Sequence, residues 1–140
     1  MPAFQTIIIF DGNLTEAEIE SKEKEYFHKI LHGGDPSEDT IPTTVHEIKG
    51  IGKKNLAYDI THDGRTYTSG WYTVFTYRTS PERIPQLERL MRVDDHVLKF
   101  LTMKLGEEEA NKIPPHHIEE DTIHKVETPK EIDAFDLIFN

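Results

Sequence analysis

Phe4 to Phe10 reads Phe-Gln-Thr-Ile-Ile-Ile-Phe, a β-branched apolar run stopped by Asp11-Gly12-Asn13, which predicts a buried strand running into a turn. Thr15 followed by Glu18 fits a capping box, with Glu16, Glu18 and Glu20 at the positive end of the helix dipole. Ile19, Tyr26, Phe27, Ile30 and Leu31 then recur at helical spacing, placing Lys22, Glu23, Lys24 and Glu25 largely outside, until Gly33-Gly34. The polar stretch Asp35 to Pro42, with Pro36 and Pro42, reads as a loop. From Thr43 the pattern turns extended: Val45, Ile48 and Ile51, then Leu56, Tyr58 and Ile60 in alternation, with Gly50 and Gly52 predicting a bulge or bend. His62-Asp63-Gly64 predicts a hairpin turn and Thr66 to Tyr77 the next strand. Ser80-Pro81 offers a capping hydroxyl before a proline at the first helical position, and Ile84, Leu87, Leu90 and Met91 supply an apolar helix face. Asp94-Asp95-His96 predicts a turn and Val97 to Leu105 the last strand.

Strand, helix, strand, strand, helix, strand is the βαββαβ order of a ferredoxin-like α+β domain, a four-stranded antiparallel sheet with two helices on one face. We assign residues 1–105 to it and residues 106–140 to an acidic, extended C-terminal tail. Strands with apolar residues on both sides predict an aromatic patch on the uncovered face, and such patches mark binding surfaces. Trp71, Phe75 and Tyr77 are its candidate partner-binding residues. In the tail, Pro114-Pro115 and an acidic run precede Phe135 to Phe139. That composition does not order itself, and Phe135 and Phe139 are expected to anchor it on a neighbouring surface.

Charge changes the picture more than composition does. The chain of 140 residues carries a formal net charge of −10, concentrated after Gly106. Lys49, Lys53, Lys54, Arg65 and Arg78 nevertheless outnumber Asp59 and Asp63 in the central hairpin. Screening limits a charge's reach to about 8–10 Å at physiological salt, so an acidic chain can still offer a cationic strand surface to a polyanion. With no cysteine, disulfides, thiolate catalysis and Cys-ligated metal centres are excluded. No run reaches the ~18 apolar residues of a membrane span, and the start lacks a secretory signal, so a soluble, non-secreted protein without membrane contact is expected.

His116-His117 and His124 beside acidic residues supply metal-ligand types without fixed geometry, and no metal or other cofactor is expected. His62-Asp63 and Asp94-Asp95-His96 look like acid/base pairs but sit on turns, where these residues serve as turn formers. No phosphate loop, Gly-x-Ser-x-Gly or His-Glu-x-x-His motif occurs. Two readings stand at this point: an RNA-binding structural protein, whose cations meet phosphates while tyrosines or Trp71 stack on bases, or a small enzyme or small-molecule-binding module on the same fold.

Four segments carry a resemblance. They are Thr6-Ile7-Ile8-Ile9-Phe10-Asp11 with Asn13-Leu14-Thr15-Glu16, Gly52-Lys53-Lys54-Asn55-Leu56-Ala57-Tyr58-Asp59-Ile60, Gly70-Trp71-Tyr72-Thr73-Val74-Phe75, and Leu87 to Leu101 with its Leu-Glu-Arg and Val-Leu-Lys-Phe-Leu. In this order, over Phe4 to Leu105, they resemble the ribosomal protein S6 family of bacterial and organellar small subunits. The resemblance implies no catalysis, no small-molecule substrate and a place on the subunit platform, bound to small-subunit ribosomal RNA together with ribosomal protein S18. It implies RNA contacts at Lys53, Lys54, Arg92 and Lys99, which match basic positions of the family's motifs. Arg65 and Arg78 are candidates by charge and position alone. Ile51 where the family has Trp, Asp59 where it has Pro, and the added Asp35 to Pro42 depart from the pattern. With the apolar tail anchor on neighbouring ribosomal proteins, these departures favour a mitochondrial-matrix ribosome, bacterial cytoplasm being the alternative.

Overall fold

The computed structural model describes residues 1–32, 42–113 and 124–125, so the loop from Asp35 and the Phe135 to Phe139 anchor lie outside the described residues. The elements are β1 (Ala3–Asp11), α1 (Glu16–His32), β2 (Thr44–His62), β3 (Arg65–Arg78), α2 (Arg83–Arg92), β4 (Val97–Lys104), α3 (Glu107–Asn111) and β5 (His124–Lys125). The sheet order is β4-β1-β3-β2-β5, antiparallel except where β5 joins β2 in parallel. Its four long strands and two long helices form the ferredoxin-like arrangement.

Local chemistry explains the boundaries. The Thr15 amide donates to Glu18 Oε1 at 3.0 Å and the Glu18 amide to Thr15 Oγ1 at 3.2 Å, so the capping box forms and satisfies two early helical donors. At the hairpin tip Asp63 (φ 52°) and Gly64 (φ 76°) both adopt left-handed dihedrals, the condition for a two-residue turn whose twist matches its strands. Helix α2 begins later than the Ser80-Pro81 pattern predicts. Ser80 and Pro81 carbonyls accept from the Arg83 and Ile84 amides, and Glu82 caps without a side-chain bond. The proline sits in a preceding turn.

The helix-facing core joins Phe4, Ile8 and Phe10 of β1, Ile19, Tyr26, Phe27 and Ile30 of α1, Val45 and Ile48 of β2, Trp71, Phe75 and Tyr77 of β3, Leu87 and Met91 of α2, and Val97. Glu23, expected on the outer face, is only 1% exposed. It falls on the Ile19–Tyr26–Phe27–Ile30 stripe, and Thr73 Oγ1 donates to its Oε2 at 3.0 Å, offsetting part of the cost of burying a carboxylate.

The second face corrects the sequence reading most. Instead of an open patch, Ile7, Ile9, Ile51, Tyr67, Tyr72, Val74 and Leu98 form a second buried cluster, with Leu56, Ile60 and Met103 against it. Bulges make this possible. Register shifts at Gly50/Gly52 and Asn55/Ile60 let the β2–β3 arm place Ile51, Leu56, Ile60 and Tyr67 in that cluster. In β4, Phe10 pairs with Val97 and Ile9 with Lys99, so Leu98 is the extra residue and strict alternation fails.

Gly12 and Gly70 mark close approaches. A Cβ on Gly12 would stand 2.5 Å from the Ser69 carbonyl oxygen, and one on Gly70 2.4 Å from Ile9 Cγ2. Backbone yields less readily than a side chain. Gly12→Ala is therefore expected to destabilise the protein by about 1–3 kcal/mol, read as a lower urea midpoint at unchanged m-value.

Candidate nucleic-acid interface

One end of the sheet gathers three of the candidate cations. Lys53 pairs with Trp71 and Lys54 with Gly70, whereas Lys99 pairs with Ile9, which itself faces Tyr72. These positions lie in neighbouring rows from β2 to β4, three strand spacings or about 14 Å apart. Arg92, at the end of α2, holds its guanidinium 5.9 Å from the centre of the Phe100 ring, bringing it beside Lys99's strand. Lys53, Lys54, Arg65 and Arg92 make no ion pair among the described residues.

The other candidates separate. Arg65 lies at the hairpin tip, paired with His62. Arg78 lies at the opposite end of β3, seven residues from Trp71 or about 23 Å along the strand, and its Nη2 donates to the Ala110 carbonyl at 2.8 Å. It joins the sheet to the five-residue α3, a helical turn in a tail expected to be extended. The structure does not bring Arg78 to the Lys53 end. It also corrects Trp71, Phe75 and Tyr77, which are buried in the helix-facing core: Trp71 Nε1 donates to the Leu14 carbonyl at 3.0 Å, and the Tyr77 hydroxyl lies 2.7 Å from Thr6 Oγ1. Their row in β3 faces the helices, so they offer no surface to a partner.

Tyr58 is the tyrosine that the fold leaves open. It is 70% exposed, whereas Tyr26, Tyr67, Tyr72 and Tyr77 are all buried. It stands in the segment of β2 between Asn55 and Ile60 where pairing with β3 lapses. The alternation of Leu56, Tyr58 and Ile60 pointed to a half-buried strand; only the register shift separates Tyr58 from its neighbours.

The turn supporting this end is fixed by Asp94. Its Oδ2 accepts from Lys22 Nζ and from the Tyr26 hydroxyl, each at 2.7 Å, and its Oδ1 from the His96 amide at 2.9 Å. Burial alone would push the carboxyl's pKa up, but the hydrogen bonds from Lys22, Tyr26 and His96 outweigh it and the net shift is downward. Burial, then the bond to Asp94, push the Tyr26 phenol far upward, so it remains a donor. Asp94-Asp95-His96 is thus structural at Asp94, not an acid/base pair.

Comparison with known proteins bears on this arrangement. The family model described as Ribosomal protein S6 matches residues 3–104. The small ribosomal subunit protein bS6 of Helicobacter acinonychis is 31% identical over 129 residues, 83% of this chain and 81% of that protein. The bS6 of Trichormus variabilis is 29% identical over 101 residues, 72% of this chain and 82% of that protein. A crystal structure of 30S ribosomal protein S6 from Thermotoga maritima superposes with a TM-score of 0.62 over 79% of this chain and 94% of that one, at 21% identity, which bears on the fold. The matched span covers both long helices and all four long strands, and its relatives are structural proteins of the small subunit, not enzymes. The chain belongs to the ribosomal protein S6 family.

Proposed function

We propose that this protein is a structural constituent of the small ribosomal subunit that binds small-subunit ribosomal RNA together with ribosomal protein S18, with its tail reaching neighbouring ribosomal proteins. The observation that carries the RNA reading is the juxtaposition on β2 of Lys53 and Lys54, without ion-pair partners among the described residues, and the 70% exposed Tyr58. Cations meet phosphates while an open phenol ring stacks on an unpaired base. Lys99, on the second face of β4, and Arg92, against Phe100 on its helix-facing side, add cations at the same end of the sheet; Arg65 adds one from the hairpin tip. The relatives compared above are bacterial, which supports bacterial cytoplasm over the mitochondrial matrix.

Sedimentation tests the whole reading. The native protein should travel with small subunits, and its recovery free of ribosomes would sink the proposal. Tyr58→Ala should weaken binding to small-subunit RNA by about 1–3 kcal/mol, the worth of one stacked base. Because the ring is exposed, the melting temperature should stay the same. Equal RNA affinity in filter binding would remove Tyr58 from the interface.

A further inference from the structure

The two turns that the sequence singled out separately, His62-Asp63 and Asp94-Asp95-His96, meet in space. His62 and Asp63 come from the β2–β3 hairpin tip and Asp95 from the turn before β4. One ligand atom from each lies within 4.8 Å of the other two. His62 Nε2 lies on the buried side of a ring that is 26% exposed and has no hydrogen-bond partner among the described residues; it stands 3.6 Å from Asp63 Oδ2, beyond hydrogen-bonding distance. No lysine or arginine pairs with either carboxylate among the described residues. An imidazole nitrogen without a hydrogen bond thus lies against two carboxylates that no lysine or arginine pairs among the described residues. Asp94 is committed to Lys22 and Tyr26 and stays outside the group.

We propose that His62, Asp63 and Asp95 form a binding site for a divalent transition-metal ion of the zinc type. One imidazole and two carboxylates suit Zn²⁺, with water completing the coordination. Ligands about 2.1 Å from a tetrahedral ion stand about 3.4 Å apart, so the His62–Asp63 pair is already near its bound spacing. The exposed Asp95 side chain closes the remainder by rotation. A dication cancels the paired negative charges and gives His62 Nε2 its missing partner. Bound there, it clips the hairpin tip to the α2–β4 turn, two segments the chain joins only through β3 and α2. The site stands apart from the RNA reading, since none of its ligands is among the proposed RNA contacts.

The test uses the full chain with Zn²⁺ as probe, in calorimetric titration and thermal melts at neutral pH. Saturating Zn²⁺ should raise the melting temperature of the unsubstituted protein by several degrees, because an ion that binds only the folded state stabilises it. His62→Gln and Asp95→Asn should each lose that rise and bind zinc at least about tenfold more weakly. The double variant His28→Gln/His32→Gln, which removes a histidine pair stacked one helical turn apart at 6.2 Å, should keep the rise. Metal-free melts establish that each variant folds, and the exposed Asp95 decides alone if His62→Gln does not. No rise in the unsubstituted protein, or a rise that survives in Asp95→Asn, overturns the site.

Discussion

Replacing Asp94 with alanine is expected to cost about 3 kcal/mol of stability and to lower the melting temperature by about 10 °C or more. Asp94 and Lys22 side chains are 9% and 13% exposed and 2.7 Å apart, so the alanine leaves the buried Tyr26 hydroxyl without its acceptor and the Lys22 ammonium with only its longer 3.3 Å contact to the half-exposed Glu25. Truncating one partner of such a pair costs far more than the pair's net worth, because the other charge remains where water barely reaches it. Asp94→Asn keeps an oxygen for Tyr26 and should lose only about 1 kcal/mol. Acid unfolding supplies a second readout. The folded carboxyl titrates below its unfolded counterpart, so its contribution is complete above about pH 4 and fades as pH falls through the folded value. The Asp94→Ala protein should therefore lie closest to the unsubstituted one at the acidic end of a stability–pH curve, and the gap should widen up to about pH 4 and stay level above it. A gap independent of pH would show that packing, not the ion pair, holds this turn.

The elements were legible because each rests on a local rule. The capping box at Thr15 and Glu18, the Asp63-Gly64 turn and the β-branched run of β1 are decided within a few residues, and all formed where expected. What failed depends on register. Alternation assigns Val97 and Leu101 to one face of β4 and Leu98 and Phe100 to the other, yet a single extra residue at Leu98 puts Val97 and Phe100 together in the helix-facing core. The bulges in β2 likewise carry Ile51 out of step and bring the hairpin arm onto the second face. The resemblance supplies the family but not which face of each strand the helices cover, so nothing in the sequence alone turns Trp71, Phe75 and Tyr77 toward the helices. Glu23 differs for another reason: its charge argues for solvent while its position falls on the helix stripe, and its partner Thr73 lies fifty positions away, beyond any local window. Tyr58 carried no distinguishing signal, because its exposure follows from lapsed pairing that composition does not encode.

The largest functional effect should come from Lys53→Glu with Lys54→Glu. Each substitution removes a positive charge and adds a negative one near the RNA backbone, one on each face of β2, so attraction is replaced by repulsion at two neighbouring positions. At physiological salt the affinity for small-subunit RNA should fall at least about a hundredfold, and the slope of log affinity against log salt should shrink by about 2. The fold should hardly notice, since Lys53 is exposed, neither lysine has an ion-pair partner among the described residues, and surface substitutions usually change stability by less than about 0.5 kcal/mol. Charge reversal at Arg78 is the informative contrast. Its guanidinium is tied to the Ala110 carbonyl at the far end of β3, so Arg78→Glu should lower the melting temperature while leaving the salt slope near that of the unsubstituted protein. If the two experiments exchange outcomes, with Arg78 setting the slope and the lysine pair setting the melting temperature, RNA docks at the opposite end of the sheet, and Tyr58 stands on the wrong side of the molecule to touch it.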